Sequence, residues 1–174
     1  MKNLLFLIIV FLLFSCVPIR VNYDYDTSTD FNSYKTYNYY PELNTGLSDL
    51  DTKRLINILD VQMQAKGLTL SDTPDFLINI QSSEYQEAQR SNVGVGLGGG
   101  GGNVGGGISI GIPVGQANIN RQIIFDFVDE SKSGLFWQAV SEGSYSPNAY
   151  PDERTAQLKK IVVKVLSEYP PGVK

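Results

Sequence analysis

"INRQIIFDFVDESKSGLFWQAVSEG", residues 119–143, decides the architecture. Ile123, Phe125 and Phe127 stand at alternate positions, on one side of an extended chain, and their polar neighbours fall on the other. Segment 130–134 holds turn-forming residues, and "LFWQAVSEG" then returns, so the stretch predicts an antiparallel hairpin with one apolar face. An apolar sheet face has to be covered, and the flanking sequence supplies the cover.

Upstream, "DFLINIQS" follows a turn at 71–74 and predicts a strand with Phe76, Ile78 and Ile80 inward, continuing toward Gln89. "VNYDYD" sets Val21, Tyr23 and Tyr25 against Asn22, Asp24 and Asp26. After a polar turn in which Asp30 or Ser33 can hold backbone amides, "KTYNYYP" alternates again until Pro41 stops it. Between these strands, Ser48 and Asp51 match a capping box that opens a helix over about 49–66, closed by Gly67. Lys53, Asn57, Asp60 and Gln64 form one polar stripe on it. Leu50, Leu55, Ile56, Ile58, Leu59, Val61 and Met63 fill most of the rest, which predicts cover on more than one side. A second helix begins at Pro151, with Asp152 and Glu153 at its positive end. It buries Leu158, Ile161, Val162, Val165, Leu166 and Tyr169 and ends at Pro170-Pro171. The order β-β-α-β-β-β-α predicts an α+β two-layer sandwich of about five largely antiparallel strands packed by two helices.

The N-terminus reads as an export signal. Lys2 precedes an apolar run from Leu4 to Phe14, and eleven residues at about 1.5 Å each fall short of a hydrocarbon core of about 30 Å. The run ends at Cys16, the single cysteine, so no disulfide partner exists within the chain. Leu13-Phe14-Ser15-Cys16 resembles a bacterial lipobox, which implies cleavage after Ser15 and acylation of Cys16. Two or three acyl chains hold firmly where one does not. The chain therefore divides into a lipoprotein signal peptide at 1–15, a lipidated tether at 16–20 and a single α+β domain at 21–171. Val17 stands where an aspartate would resemble the inner-membrane retention signal, so an outer-membrane anchor is expected, facing the periplasm or the surface.

Within the domain, 93–115 is a glycine-rich insertion read as a hairpin. Val93, Val95 and Leu97, then Ile108, Ile110, Ile112 and Val114, alternate with glycine and continue the strands on either side. Gly94, Gly96 and Gly99 fit G-x-G-x-x-G only as any glycine tract would, and no phosphate-loop lysine follows.

Composition narrows the chemistry. The 174 residues carry a formal charge of −4 with basic residues scattered, which argues against nucleic acid as a partner. The chain has no histidine, and so lacks the commonest general base and metal ligand. Asp24, Asp26, Ser28 and Asp30 resemble the start of a calcium loop, but Thr29 stands at its glycine position and Lys35 at its terminal glutamate. No catalytic set, cofactor or metal site is expected, and turn and capping roles suit these acids. Six of the ten tyrosines lie between Tyr23 and Tyr40, and Trp137 is the sole tryptophan. Such aromatics pack cores and cross-strand pairs, and they also bind sugars and peptides. Tyr37, Tyr39 and Trp137 are the candidate partner-binding residues.

Together, "YDYDTSTDFNSYKTYNY", "TPDFLINI", the glycine insertion, "IIFDFVDESKSGLFWQA" and a last helix ending in "YPP" resemble the exported lipoproteins of the domain-of-unknown-function 4136 family. The resemblance rests on Asp26, Phe31, Tyr34 and Thr36, on Pro74-Asp75 and on the hairpin from Asp129 to Trp137. Gln138 departs from the family's usual basic residue or glycine. The resemblance implies an α+β envelope lipoprotein and no established activity. The expectation is a membrane-anchored, non-enzymatic binding or structural module whose partner is an envelope protein or glycan. An accessory role in lipid or solute transport would need an acyl-sized apolar groove between helix and sheet. A hydrolase would need two carboxylates roughly 5 to 9.5 Å apart in one cleft.

Overall fold

The computed structural model describes residues 18–86, 119–132 and 134–172. In chain order they form β1 (Arg20–Tyr25), β2 (Thr36–Tyr39), α1 (Asp49–Ala65), β3 (Thr69–Leu70), β4 (Phe76–Gln86), β5 (Ile119–Asp129), β6 (Gly134–Ser144) and α2 (Pro151–Val165). One six-stranded sheet runs β1-β6-β5-β4-β2-β3, with both helices available to cover it. The expected five strands become six because β3 has only two residues, too few to show any periodicity. The sheet is mixed: β1/β6, β4/β5 and β5/β6 pair antiparallel, whereas β2 pairs parallel with β3 and β4. Returning the chain through α1 makes parallel pairing possible.

The central hairpin forms as the alternation predicts. Phe127 stands opposite Ile78 and Trp137, and Phe125 opposite Ile80 and Ala139. Between the Phe127–Trp137 and Val128–Leu135 pairs the register shifts, leaving Phe136 as an extra residue. This bulge buries two consecutive aromatics, Phe136 and Trp137, while Leu135 stays half exposed. Each fully buried side chain of this size contributes about 1.5–3 kcal/mol by leaving water.

Ser48 caps α1 by accepting a bond from Asp51 N (3.3 Å), and Gly67 follows the helix in the left-handed region that glycine tolerates. The helix buries Asp51, Leu55, Leu59 and Met63 only. The helix packs against the sheet and against α2, but Leu50 and Val61 remain 62% exposed, so the expected cover is corrected at these two positions. Asp51 joins the helices, bonding Arg54 (2.7 Å) and Arg154 of α2 (2.8 Å). The glycine-rich insertion lies outside the described residues. It connects β4 to β5, whose ends pair at Gln86 and Ile119.

Candidate functional site

At the sheet end formed by the start of β4 and the end of β5 lies a cleft of about 430 Å³. Its floor is Tyr34, stacked on Phe136 with centroids 4.4 Å apart. The Tyr34 hydroxyl donates to Asp129 Oδ2 at 3.0 Å, and Lys132 Nζ reaches the same oxygen at 3.2 Å. Ser131 donates its backbone N–H (2.9 Å) and its hydroxyl (2.7 Å) to Asp129 Oδ1. The Lys132 ammonium also sits 4.8 Å above the Tyr34 ring. Burial works to raise the Asp129 carboxyl, but the bonds from Ser131, Tyr34 and Lys132 outweigh it and hold the group below the ordinary carboxylate range. Burial first, and the bond to Asp129 second, push the Tyr34 phenol up to about 12.

Asp75 forms the opposite wall and acts as a clasp. Its Oδ2 accepts the backbone N–H groups of Lys35 and Thr36, each at 2.8 Å, while its own N–H donates to Thr36 Oγ1 at 3.0 Å. The bond from Lys35 is the largest of the effects that keep its carboxyl low. Both acids are thus charged at neutral pH and engaged with the fold. A general acid would have to stay protonated there, so neither is poised to donate a proton. Glu130 and Ser33 complete the polar rim. The cleft offers hydrogen bonds and one ammonium, a surface suited to holding a polar group.

The candidate aromatic residues lie elsewhere, and two of them are corrected. Tyr37 and Trp137 are fully buried, so neither offers a face to a partner. The large rings fill the space between sheet and helices: Trp137 packs on Phe127 (4.6 Å) and Tyr169 (5.2 Å), and its indole N–H has no partner among the described residues. Tyr39 is half buried, and the Tyr37 and Tyr39 hydroxyls both donate to Asp60 Oδ1, at 2.8 and 2.7 Å. Burial, reinforced by Asp60, raises both phenols. Asp26 and Asp30 hold turns, accepting from Ser28 and Asn32, and the described residues contain no group of acids arranged to hold a metal. Leu55, Leu59, Met63 and Val162 are fully buried between helix and sheet, where a transport role would need a groove. Cys16 precedes the described residues. Sequence reasoning did not single out Asp129, Asp75 and Lys132 as one site. The signal was present, since Tyr34, Thr36, Pro74-Asp75 and the Asp129 hairpin carry the family resemblance and meet around this cleft.

An α+β domain with a mixed sheet and an acid-clasped cleft at one sheet end is the class these features define. The chain belongs to the family described as Domain of unknown function (DUF4136), whose model matches residues 21–171. No curated protein matches the sequence. Among solved structures the chain is similar to a PDZ domain protein from Parabacteroides distasonis ATCC 8503, at 14% identity and a TM-score of 0.57. That match covers 91% of this chain and 37% of the other. It is also similar to the PelC dodecamer from Paraburkholderia phytofirmans, at 12% identity and a TM-score of 0.50, covering 86% of this chain and 96% of the other. A minor lipoprotein from Acinetobacter baumannii overlaps more loosely, at 14% identity and a TM-score of 0.36, over 78% of this chain and 88% of the other. At such identities a likeness describes fold and leaves activity open. Among the described residues no helix is long and apolar enough to cross a membrane.

Proposed function

We propose that the protein is an envelope lipoprotein, held to a membrane by acyl chains on Cys16, and that it works as a non-enzymatic binding or structural module. The observation that carries this reading is how soon the fold takes hold of the chain after Cys16. The Ile19 carbonyl accepts a bond from Lys164, and Ile19 packs beside Gly143. Three residue steps reach at most about 10 Å, so acyl chains on Cys16 would keep the body against the bilayer surface. The cleft fits the binding half of the reading, because its acids are ionised and already held while Lys132 stays 59% exposed at its mouth. β4 and β5 place this cleft at the end of the sheet opposite the strand ends that lead to the glycine-rich insertion.

The test is mass spectrometry of the native product, with membrane fractionation of the Cys16→Ser variant. An N-terminal acylated Cys16 and release of the variant from membranes are expected. An unmodified thiol, or a variant that fractionates like the parent, overturns the anchor. For the binding half, a photo-crosslinker at Lys132 is expected to capture an envelope protein or glycan, and capture no greater than from exposed Asn57 on α1 overturns the cleft as its site.

A further inference from the structure

β1 is one edge of the sheet, and its outer side is open over a short window. Asp26 N donates to Phe136 O at 3.0 Å. Given the register from Arg20↔Glu142 to Tyr25↔Trp137, even-numbered residues turn their backbone groups toward β6, and Val21, Tyr23 and Tyr25 turn theirs outward. The protein's own side chains close both ends of this edge. Tyr25 N–H donates to Asp24 Oδ1 at 3.0 Å, and the Ile19 carbonyl accepts from Lys164 Nζ. Between these plugs, the N–H and C=O groups of Val21 and Tyr23 have no partner among the described residues. Exposed edges invite another strand, and natural proteins commonly guard them along their length. Here only the ends are guarded.

The window is complementary to itself. Laid antiparallel about Asn22, two copies of β1 would set Val21 opposite Tyr23 of the second copy, and the reverse, each pair exchanging two hydrogen bonds. The same register sets Arg20 opposite Asp24 of the second copy, twice, on the sheet face that Asn22 shares. Arg20, Asn22 and Asp24 are all exposed, and Arg20 makes no ion pair among the described residues. Opposite charges facing each other across strands stabilise the pair, where like charges would oppose it. α2 packs over β6 and meets β1 on the face of Val21 and Tyr23, where the Tyr23 hydroxyl donates to the Lys164 carbonyl at 2.6 Å, whereas Arg20, Asn22 and Asp24 lie exposed on the opposite face. We infer that β1 is a self-association edge: two copies join their sheets through antiparallel β1 strands centred on Asn22. An unrelated strand would have to bring an acid opposite Arg20 and a base opposite Asp24, and a second copy brings both. Confinement to a bilayer would raise the effective concentration of such an edge, but the pairing does not depend on the anchor.

The experiment is disulfide trapping of the full chain in native membranes, with Asn22→Cys placed on the symmetry axis. The unsubstituted chain sets the baseline, including anything a free Cys16 thiol would add, so pairing and anchor are read separately. Asn22→Cys is expected to give at least a fivefold excess of homodimer over that baseline and over Thr27→Cys in the neighbouring exposed turn. Adding Arg20→Asp is expected to lower the Asn22→Cys dimer at least fivefold by facing two acids. Adding Asp24→Arg to that variant is expected to restore it to within twofold, a rescue that a merely destabilised strand would not show. Trapping equal to Thr27→Cys, a charge swap that fails to rescue, or crosslinks only to a different protein would each overturn the inference.

Discussion

Tyr34 and Asp129 are joined by a 3.0 Å hydrogen bond between groups 95 residues apart. The bond ties the turn before β2 to the end of β5. Asp129 is 2% exposed, so its charge is tolerated only because every donor around it is aimed at it. Tyr34→Phe removes one donor of several and is expected to cost about 1–2 kcal/mol in urea unfolding. Asp129→Ala strands the Tyr34 hydroxyl and frees Lys132, and is expected to cost more, about 2–3 kcal/mol. Equal losses in the two variants would mean that the pair is not organised as described.

The same groups set the pH response. Asp129 and Asp75 are held below the ordinary carboxylate value in the fold, so their stabilisation is complete above that unfolded value of about 4 and is lost as pH falls through their lower folded values. Tyr34, raised to about 12, behaves oppositely: its contribution is present below about 10 and is lost as pH rises toward 12. Denaturation profiles against pH are expected to flatten on the acid side in Asp75→Asn and on the alkaline side in Tyr34→Phe. A parallel displacement of the whole curve would contradict these assignments.

Trp137 is a core residue, so its loss should read as instability. Trp137→Ala is expected to cost about 3–5 kcal/mol, and Trp137→Phe less. Capture of a partner by folded Trp137→Phe is expected to match the parent. Tryptophan fluorescence should shift to the red as the parent unfolds, and a native spectrum already at the solvent-exposed position would disprove the burial.

Gly46 packs against the backbone of β4. It sits at φ +70°, and a Cβ there would lie 2.6 Å from the Ser82 carbonyl oxygen. Strain and collision act together in Gly46→Ala, which is expected to lose at least about 2 kcal/mol. Gly67→Ala shares the positive φ and meets open space, so it should lose less, and thermal melts of the pair will separate the two causes.

Local patterns in the chain were enough for the long elements. Alternation placed Phe76, Ile78, Ile80, Ile123, Phe125 and Phe127 inward, and Ser48, Gly67 and Pro151 marked helix ends, because capping, φ and side-chain period act over a few residues. What depends on distant chain segments was not legible there. Two residues of β3 carry no period, parallel pairing of β2 with β4 is a matter of where α1 returns the chain, and the bulge turns Phe136 inward beside Trp137, against the alternation that Trp137, Ala139 and Ser141 keep. Core packing is the commoner fate of strand aromatics such as Tyr37 and Trp137, but a partner-binding surface has the same local signature. Only packing decided between them. The cleft arose the same way: Tyr34, Asp75 and Asp129 are far apart along the chain, and their charges and hydrogen bonds acquire meaning once three segments meet at one end of the sheet.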